Sequence, residues 1–517
     1  MAKKALVKEG TYFDSVTLMS ISTDIKAIDG VNEATIVMGT DANKGILETA
    51  GLLLPEAEEA NPNDLVIVID GEEDVLDKAI EKTNEKLAEQ KSSSDDEEDY
   101  NPGSLDGALD VQPDSNLVII SVPGEYAARE ARKALKRGLH VMLFSDNVPV
   151  EDEIELKQMA SERNLLLMGP DCGTSIINGA PLAFSNVVSR GPVGIVAASG
   201  TGAQAVSSLV DRQGVGLTQV IGTGGRDLKS KVKGIEMIKD MKALDRDEDT
   251  EVIVLVSKPP AKEVSEKIME EVKKLDKPVI VNFLGGDPSV VEGTDAIWTD
   301  TLEDAALKAA AFIKGEDEVG GLSLTEEEVN EIAAEETSKM SDEQKYLRGL
   351  YTGGTLCSEA VILLTEKYGE MYSNIPLKEE LGLKEDLASI ENTVIDLGED
   401  EFTRGKPHPM IEPSLRNDRM LKEAEDKELA VVLVDVVLGY GSHEDPAGEV
   451  AKAIEKAKEK VADRGGYLSV IASVCGTEKD PQNLQAQEEK LRQVGAKVLP
   501  TNVQAVRVAS KILSDLN

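Results

Sequence analysis

Three loops rich in glycine and hydroxyl residues each follow an apolar run, and these are the places where the chain could bind an anion. The loop after the first run, residues 193–197, contains Ser199, Gly200, Thr201 and Gly202. From Ala203 onward the apolar spacing becomes helical, so a helix should begin inside this loop. The free N–H groups and positive dipole end of such a helix bind phosphates and carboxylates at the carboxyl edge of an open α/β sheet. We therefore predict an anion site here, with hydroxyl donors from Ser199 and Thr201.

The other two loops repeat this pattern. Residues 222–227 follow the next predicted strand, and their expected ligand residues are Gly224, Gly225 and Arg226. The third loop opens another helix after residue 352, and its expected ligand residues are Gly353, Gly354 and Thr355. A tight strand-to-helix connection that binds nothing is the alternative for each loop, but the repetition favours a binding role.

Two histidines are the candidates for acid–base chemistry. His408 lies in a segment with three prolines that also carries Arg404 and Lys406, which we take as substrate-binding candidates. A rigid surface loop is the alternative for this segment. His443 lies in a loop after an apolar run, with acidic residues beside it. Both histidines are therefore predicted to be catalytic or orienting groups.

Cysteine and histidine usage argues against a disulfide framework and against a metal site. The three cysteines, Cys172, Cys357 and Cys475, are far apart and odd in number, so we expect small buried thiols. The three histidines have no zinc-ligand spacing with them. We predict no metal.

Net charge and composition exclude some classes of binding partner. The chain has a net charge of −41, 41% apolar residues and only 3% aromatics. Nucleic acids and anionic membranes need basic patches, so neither is expected as a partner. The start lacks an apolar signal core, and no run of about eighteen apolar residues occurs, which predicts a cytoplasmic protein.

Alternation of short Val/Ile/Leu runs with helical segments predicts an α/β fold with several doubly wound parallel-sheet domains. We expect an N-terminal α/β domain over residues 1–90 and an acidic linker over 91–103. A Rossmann-like domain of the CoA-binding type follows over 104–190. A flavodoxin-like domain is expected over 191–320, a helical segment with the third loop over 321–427, and a second flavodoxin-like domain over 428–517.

The motifs support a family resemblance. Residues 168–173, Met-Gly-Pro-Asp-Cys-Gly, together with the first two glycine loops, resemble the alpha subunit of succinyl-CoA synthetase and the NDP-forming acyl-CoA synthetases. Over its whole length, including Gly-Lys-Pro-His-Pro at residues 405–409, the chain is identified as a member of the FdrA family. Asp171, within the first of these motifs, is a further substrate-binding candidate.

The resemblance implies a transferase acting in a complex. The FdrA family is linked to oxamate carbamoyltransferase, in which oxalurate and phosphate give oxamate and carbamoyl phosphate in purine and allantoin catabolism. Two partner proteins encoded beside it are expected as subunits of a hetero-oligomer. Phosphate or carbamoyl phosphate would be a substrate, and the resemblance establishes no further cofactor. One alternative is an acyl-CoA synthetase subunit that uses CoA and a nucleotide, and another is a non-catalytic scaffold.

Overall fold

The chain folds into two units whose boundary is crossed three times. In the computed structural model, the described residues are 2–11, 13, 15–92, 102–384, 387–403 and 407–516. The first unit comprises residues 1–103 and 400–408, and the second comprises residues 104–399 and 409–517. No helix in these described ranges is long and apolar enough to cross a membrane.

The first unit contains an antiparallel sheet of order β1-β3-β2. Its elements are β1 (Ala2–Lys8), α1 (Ser15–Lys26), β2 (Val31–Met38), α2 (Asp41–Thr49), α3 (Pro55–Glu58), β3 (Leu65–Gly71) and α4 (Leu76–Ser92). The central strand β3 is apolar on both faces. Ile67 and Ile69 pack with residues of α1 and α4, whereas Val66 and Val68 pack on the other face, as strand alternation requires.

The second unit begins with a small parallel sheet of order β4-β5-β6. Its elements are α5 (Leu105–Val111), β4 (Leu117–Ile120), α6 (Gly124–Lys136), β5 (His140–Leu143), α7 (Val150–Glu162) and β6 (Leu167–Met168). Small residues on one face of α6, such as Ala127, Ala131 and Ala134, are fully buried against this sheet. His140 opens β5, and its Nδ1 accepts a hydrogen bond from the Leu166 N–H at 2.9 Å.

A seven-stranded sheet follows, of order β13-β12-β11-β9-β10-β7-β8. Its strands are β7 (Thr174–Ile177), β8 (Ala180–Ala183), β9 (Arg190–Ala197), β10 (Leu217–Gly222), β11 (Val252–Ser257), β12 (Val279–Phe283) and β13 (Ile297–Trp298). Its helices are α8 (Gly200–Arg212), α9 (Ile235–Arg246), α10 (Lys262–Val272) and α11 (Leu302–Lys314). The strands from β9 to β13 pair in parallel, and β7 and β8 add an antiparallel edge.

The last sheet is six-stranded and parallel, of order β15-β16-β14-β17-β18-β19. Its elements are α12 (Glu326–Thr337), β14 (Tyr346–Tyr351), α13 (Gly354–Lys367), β15 (Tyr372–Ser373), β16 (Thr393–Asp396), α14 (Asp400–Thr403), α15 (Ser414–Glu423), β17 (Leu429–Val437), α16 (Pro446–Ala462), β18 (Ser469–Cys475), α17 (Leu484–Gln493), β19 (Lys497–Leu499) and α18 (Asn502–Leu516). The short α14 belongs to the first unit. The boundary expected at residue 428 falls between two neighbouring strands of this sheet, β14 and β17.

The fold class predicted from the sequence is confirmed, because three sheets of the second unit are built on parallel strands with helical connections. The seven- and six-stranded sheets share one apolar core, in which residues of α8, α11, α13 and α18 pack together. The N-termini of α8 and α13 follow β9 and β14, the strands at the centre of these two sheets. This arrangement positions the site described next.

Candidate functional site

The N-termini of α8 and α13 meet. The Ser199 Oγ and Thr355 Oγ1 atoms lie 2.5 Å apart, and the Thr355 N–H donates to Thr201 Oγ1 at 3.1 Å. A side-chain carbon at Gly353 would lie 3.1 Å from the Thr201 methyl group. The structure thus brings together the first and third predicted loops, including Gly200, Gly202 and Gly354.

Ser199 caps α8. Its backbone is extended, and its Oγ accepts a hydrogen bond from the Gly202 N–H at 3.0 Å. A Ser cap satisfies one of the N–H groups that have no partner within a helix. This confirms the local expectation that the helix begins inside the loop, at Gly200.

The start of α13 is held by a buried carboxylate. Asp435, on β17, accepts hydrogen bonds from the N–H groups of Thr352 and Gly353 at 2.8 and 2.7 Å. Asp435 is completely buried. The buried Arg416 donates to the Asp435 carbonyl at 2.5 Å and lies 3.5 Å from its Oδ1. Burial raises the pKa of Asp435, whereas Arg416 and the two N–H groups lower it. These partners compensate the burial of the carboxyl group, so Asp435 positions the loop.

A second carboxyl group, Asp396, ends β16 on the other side of β14. It is 2% exposed. Its Oδ1 accepts a hydrogen bond from the Gly398 N–H at 2.9 Å, and its Oδ2 lies 2.6 Å from where a side-chain carbon of Gly354 would be. Burial raises the pKa of Asp396 to about 7. Asp396 can therefore exchange a proton near neutral pH.

Several N–H groups at the two helix starts are available to an anion. Among the described residues, none accepts a hydrogen bond from the N–H of Gly200, Thr201, Gly354 or Leu356. With the hydroxyls of Ser199 and Thr355, they form a cluster of donors at two positive dipole ends. The arrangement suits a small dianion.

The second predicted loop has a different environment. The Arg226 guanidinium donates to the Val148 carbonyl at 2.7 Å and pairs with the buried Glu153 at 3.0 Å. Gly224 packs against the Pro170 carbonyl, and a side-chain carbon at Gly225 would lie 3.8 Å from the Asp171 carboxylate. Gly224, Gly225 and Arg226 thus lie against the turn that carries Asp171 and against the start of α7. Among the described residues, no hydrogen bond joins these three to the α8–α13 donors.

The two candidate histidines lie in different units. His408 belongs to the first unit, and burial lowers its pKa to about 4. In the second unit, His443 Nδ1 accepts a hydrogen bond from the Asp445 N–H at 3.0 Å, and the His443 N–H donates to the Met410 carbonyl. An acceptor role for Nδ1 leaves Nε2 as the protonated nitrogen of the neutral ring. Arg404 and Lys406 lie outside the described residues.

The cysteines are free thiols. Cys172 and Cys357 are buried, as expected, whereas Cys475 is half-buried. Burial raises the pKa of Cys172 to about 11 and that of Cys475 to about 12. Such thiols are poor nucleophiles near neutral pH.

Comparison with known families gives three matches. Residues 350–512 match a CoA-ligase model, residues 188–285 match a CoA-binding domain, and residues 1–102 match the domain described as "AllF, heavy metal-associated domain". The first two matches contain the α13 and α8 loops respectively. The CoA-binding match lies on the seven-stranded sheet, next to the segment 104–190 that we expected to be of this type.

A full-length relative decides the family. The chain is 45% identical to the uncharacterized protein YahF of Escherichia coli over 496 residues, which cover 96% of this chain and 95% of YahF. This chain belongs to the YahF family. Together with the domain matches, this confirms the recognition of a succinyl-CoA-synthetase-like protein from its motifs.

This YahF-family chain also has more distant matches. The alpha 2 subunit of the ADP-forming succinate–CoA ligase of Archaeoglobus fulgidus is 26% identical over 33% of this chain and 58% of that subunit. Among solved structures, a dinucleotide-forming acetyl-CoA synthetase of Korarchaeum cryptofilum aligns with 16% identity and a TM-score of 0.28. The alignment covers 78% of this chain and 83% of the synthetase chain. The ATP citrate lyase of Methanothrix soehngenii aligns with 12% identity and a TM-score of 0.32, over 80% of this chain and 85% of the lyase chain. TM-scores this low support no argument about this chain.

The name of the first domain implies a metal, but the donor set does not fit one. Residues 1–102 of this YahF-family chain contain neither cysteine nor histidine, since the first of each is Cys172 and His140. Soft metals bind thiolate and imidazole groups. Within the described ranges, no group of three or more His, Cys, Asp or Glu side chains is arranged to hold a metal ion.

Sequence reasoning missed the carboxyl groups of the site. Asp435 carried a usable signal, because a lone charged residue within an otherwise apolar strand of nine residues must have a buried partner. Asp396 ends a strand of only four residues in a segment with little periodicity. Its proximity to Gly354 depends on the pairing of β14 with β16, which no local pattern encodes.

Proposed function

We propose that this chain is a subunit of a carbamoyltransferase complex that converts oxalurate and phosphate into oxamate and carbamoyl phosphate. The observation that carries the proposal is the meeting of the α8 and α13 N-termini on one chain, at the hydroxyl pair Ser199 and Thr355. Phosphate and carbamoyl phosphate are small dianions. Two helix N-termini can hold either one through N–H groups and dipoles without a covalent intermediate.

The reaction asks mainly for positioning and charge neutralisation. A phosphate oxygen forms a bond to the ureido carbonyl carbon of oxalurate, while the bond from that carbon to the leaving nitrogen breaks. The proton of the hydrogen phosphate ion ends on that nitrogen, so oxamate leaves with an intact amide group. Fixing the phosphate oxygen against the carbonyl carbon lowers the entropic part of the barrier.

Partner subunits complete the proposal. The family resemblance implies two partner proteins, and the α8–α13 donors supply a phosphate site on this chain. A carboxylate substrate is usually clamped by arginine in bidentate geometry. Arg226 and Arg416, in the second unit, are already engaged by Glu153 and Asp435. We propose that the partners contribute the oxalurate pocket.

An acyl-CoA synthetase subunit is the second candidate, favoured by the CoA-ligase and CoA-binding matches. CoA and a nucleotide would then be substrates, and phosphate would pass through a histidine. Residues 285–294, where the resemblance to the alpha subunit would put that histidine, contain none. His408 or His443 would have to take this role.

The deciding experiment uses the chain co-expressed with the two neighbouring gene products. The purified complex is assayed for oxalurate phosphorolysis and, separately, for ATP-dependent thioester formation from CoA. The carbamoyltransferase proposal expects carbamoyl phosphate from the first assay, and no activity from this chain alone. Incubation with labelled ATP provides the cross-check. An acid-labile, base-stable phosphate on histidine, with thioester product, would overturn the proposal in favour of the ligase.

A further inference from the structure

Two buried carboxyl groups flank the strand that leads into α13, and they have different surroundings. β14 lies between β16, which ends at Asp396, and β17, which contains Asp435. The Asp435 carboxylate accepts hydrogen bonds from the N–H groups of Thr352 and Gly353, from the Thr352 hydroxyl and, at 3.5 Å, from the Arg416 guanidinium. Asp435 is therefore committed to holding the loop in place.

The backbone and one carboxyl oxygen of Asp396 are held by hydrogen bonds to other described residues, whereas its second carboxyl oxygen, Oδ2, is not. The Asn374 side chain pairs with its backbone: Asn374 Oδ1 accepts from the Asp396 N–H, and Asn374 Nδ2 donates to the Asp396 carbonyl, both at 2.9 Å. The Gly398 N–H fixes Oδ1. Within the described ranges, no group donates a hydrogen bond to Oδ2, which faces Gly354 at the first turn of α13. Asp396 thus presents one oxygen atom to the anion site.

The charged groups around Asp396 do not offset the effect of burial on its pKa. Burial is the largest influence and raises its pKa; the Gly398 N–H and Lys258 lower it, and Glu399 and Asp435 raise it. Cys357 on α13, which is fully buried, is a further titratable neighbour. Lys258 is exposed at the end of β11, where water screens its charge. Burial also raises the pKa of Asp435, but Arg416 and the N–H groups of Thr352 and Gly353 lower it. The two carboxyl groups of the site therefore differ in their hydrogen-bond donors, and different surroundings can assign two carboxyl groups different roles.

We propose that Asp396 is the proton-transferring residue of the α8–α13 anion site, with Oδ2 as the atom that contacts the bound phosphate. The inference rests on the proposed function and assigns its acid–base step. The neutral Asp396 carboxyl group gives its proton to the leaving nitrogen of oxamate as the bond from the ureido carbon to that nitrogen breaks. The resulting carboxylate takes the proton of the hydrogen phosphate oxygen that bonds to the ureido carbon. The net change is one proton moved from phosphate to nitrogen, no redox partner is needed, and Asp396 ends in its neutral form, as it began.

The protonation state of Asp396 should also affect the affinity of the site for a dianion when no reaction takes place. A neutral Asp396 donates a hydrogen bond to a bound dianion, whereas an ionised Asp396 repels it. Affinity for a dianion should therefore fall as pH rises through neutrality. An asparagine at this position keeps a donor and an acceptor at every pH, so it should bind the dianion with little pH dependence.

The test uses the full-length chain and sulfate, whose charge is constant over this range, unlike that of a phosphoryl group with a pKa near 6. Calorimetric titrations compare the wild type, Asp396→Asn and Asp396→Ala. For the wild type we expect affinity to fall by up to about tenfold per pH unit above neutrality. Asp396→Asn should be nearly flat, and Asp396→Ala should be flat and weaker throughout. Thermal melts of each variant verify folding, and Asp396→Ala provides the second variant if the asparagine is not tolerated.

Glu359→Gln is the matched control. Glu359 is also buried, its pKa is also raised to about 7, and it is held by the Leu302 N–H and Asn502. It lies in the second turn of α13, so this variant should keep the wild-type pH profile. An Asp396→Asn profile that follows the wild type would overturn the role of Asp396 while leaving the phosphate site standing. A wild-type chain that binds no sulfate at any pH would overturn the phosphate site itself, and the proposed function with it.

Discussion

The hydroxyl oxygens of Ser199 and Thr355 lie 2.5 Å apart, although 156 positions separate the two residues in the chain. Ser199 caps α8, which follows β9 of the seven-stranded sheet, and Thr355 lies in the first turn of α13, which follows β14 of the six-stranded sheet. The contact therefore joins two sheets at the point where both helices present their positive ends. Such a joint allows two distant loops to act on one anion.

This joint should be measurable as a coupling free energy. Ser199→Ala removes a helix cap, at a cost of about 1 kcal/mol. Ser199→Ala and Thr355→Ala each remove the shared hydroxyl bond, at about 1 kcal/mol. Because the bond can be lost only once, the double variant should be less destabilised than the sum of the singles by at least about 0.5 kcal/mol. Urea unfolding followed by fluorescence and circular dichroism gives the four free energies.

A control cycle pairs Ser199→Ala with Thr365→Ala. The Thr365 hydroxyl donates to the Val361 carbonyl within its own helix. These two changes share no contact and should add within about 0.5 kcal/mol. Additivity in the Ser199 and Thr355 cycle as well would show that the hydroxyl contact does not stabilise the joint.

Gly354→Ala should weaken anion binding. A methyl group at Gly354 would lie 2.6 Å from Asp396 Oδ2, so the carboxyl group or the first turn of α13 must move. Displacement of one such site by about 1 Å can cost about a hundredfold in function, and we expect sulfate affinity to fall by at least about tenfold. Gly320→Ala is the control, because an added methyl group meets nothing within 4 Å there. Equal sulfate affinities for the two variants would remove Gly354 from the site.

Local features of the site could be predicted from the sequence, and long-range ones could not. The starts of α8 and α13 were predictable, because a Ser cap or a glycine turn followed by helical spacing is a local signal. The environment of Arg226 could not be predicted. Its partner Glu153 lies on α7, beside a different sheet, and no sequence pattern near Arg226 indicates this contact. Asp396 likewise reaches the site only through strand order. Helix starts could therefore be predicted from neighbouring residues, whereas contacts that depend on the tertiary structure could not.

Arg226→Ala tests whether Arg226 binds the anion or only forms a structural ion pair with Glu153. An anion ligand would lose about tenfold or more in sulfate affinity on truncation. The structure instead predicts unchanged sulfate affinity and a loss of about 1–3 kcal/mol of stability, because the buried Glu153 loses a charged partner. Arg129→Ala is the control: Arg129 is largely exposed and lies 3.8 Å from Glu130, so its loss should cost less than about 1 kcal/mol. Weakened sulfate binding by Arg226→Ala with intact stability would restore the sequence-based assignment.

The last prediction concerns stability against pH and arises from α9. Glu236 and Asp240 are both buried and four positions apart, and Lys239 pairs with Glu236 and lies 3.8 Å from Asp240. Burial raises the pKa of both carboxyl groups. Asp240 further raises the pKa of Glu236, and Asp227 raises that of Asp240, whereas Lys239 lowers both. In the unfolded chain such groups titrate near about 4. The folded state therefore holds more protons than the unfolded state between about pH 5 and neutrality.

Because the folded state binds the extra proton, its free energy of unfolding should fall as pH rises through this window, by at most about 1.4 kcal/mol per pH unit for each proton. Glu236→Gln stays neutral at every pH, so it should flatten the slope and be more stable than the wild type at the alkaline end. Glu271→Gln is the control, since its lysine partners lower the pKa of Glu271 to about 2 and it stays ionised throughout the window. Melting temperatures measured from about pH 5 to about pH 8 test this. A wild-type profile without slope, or one that Glu236→Gln leaves unchanged, would show that these two carboxyl groups are ionised in the folded protein.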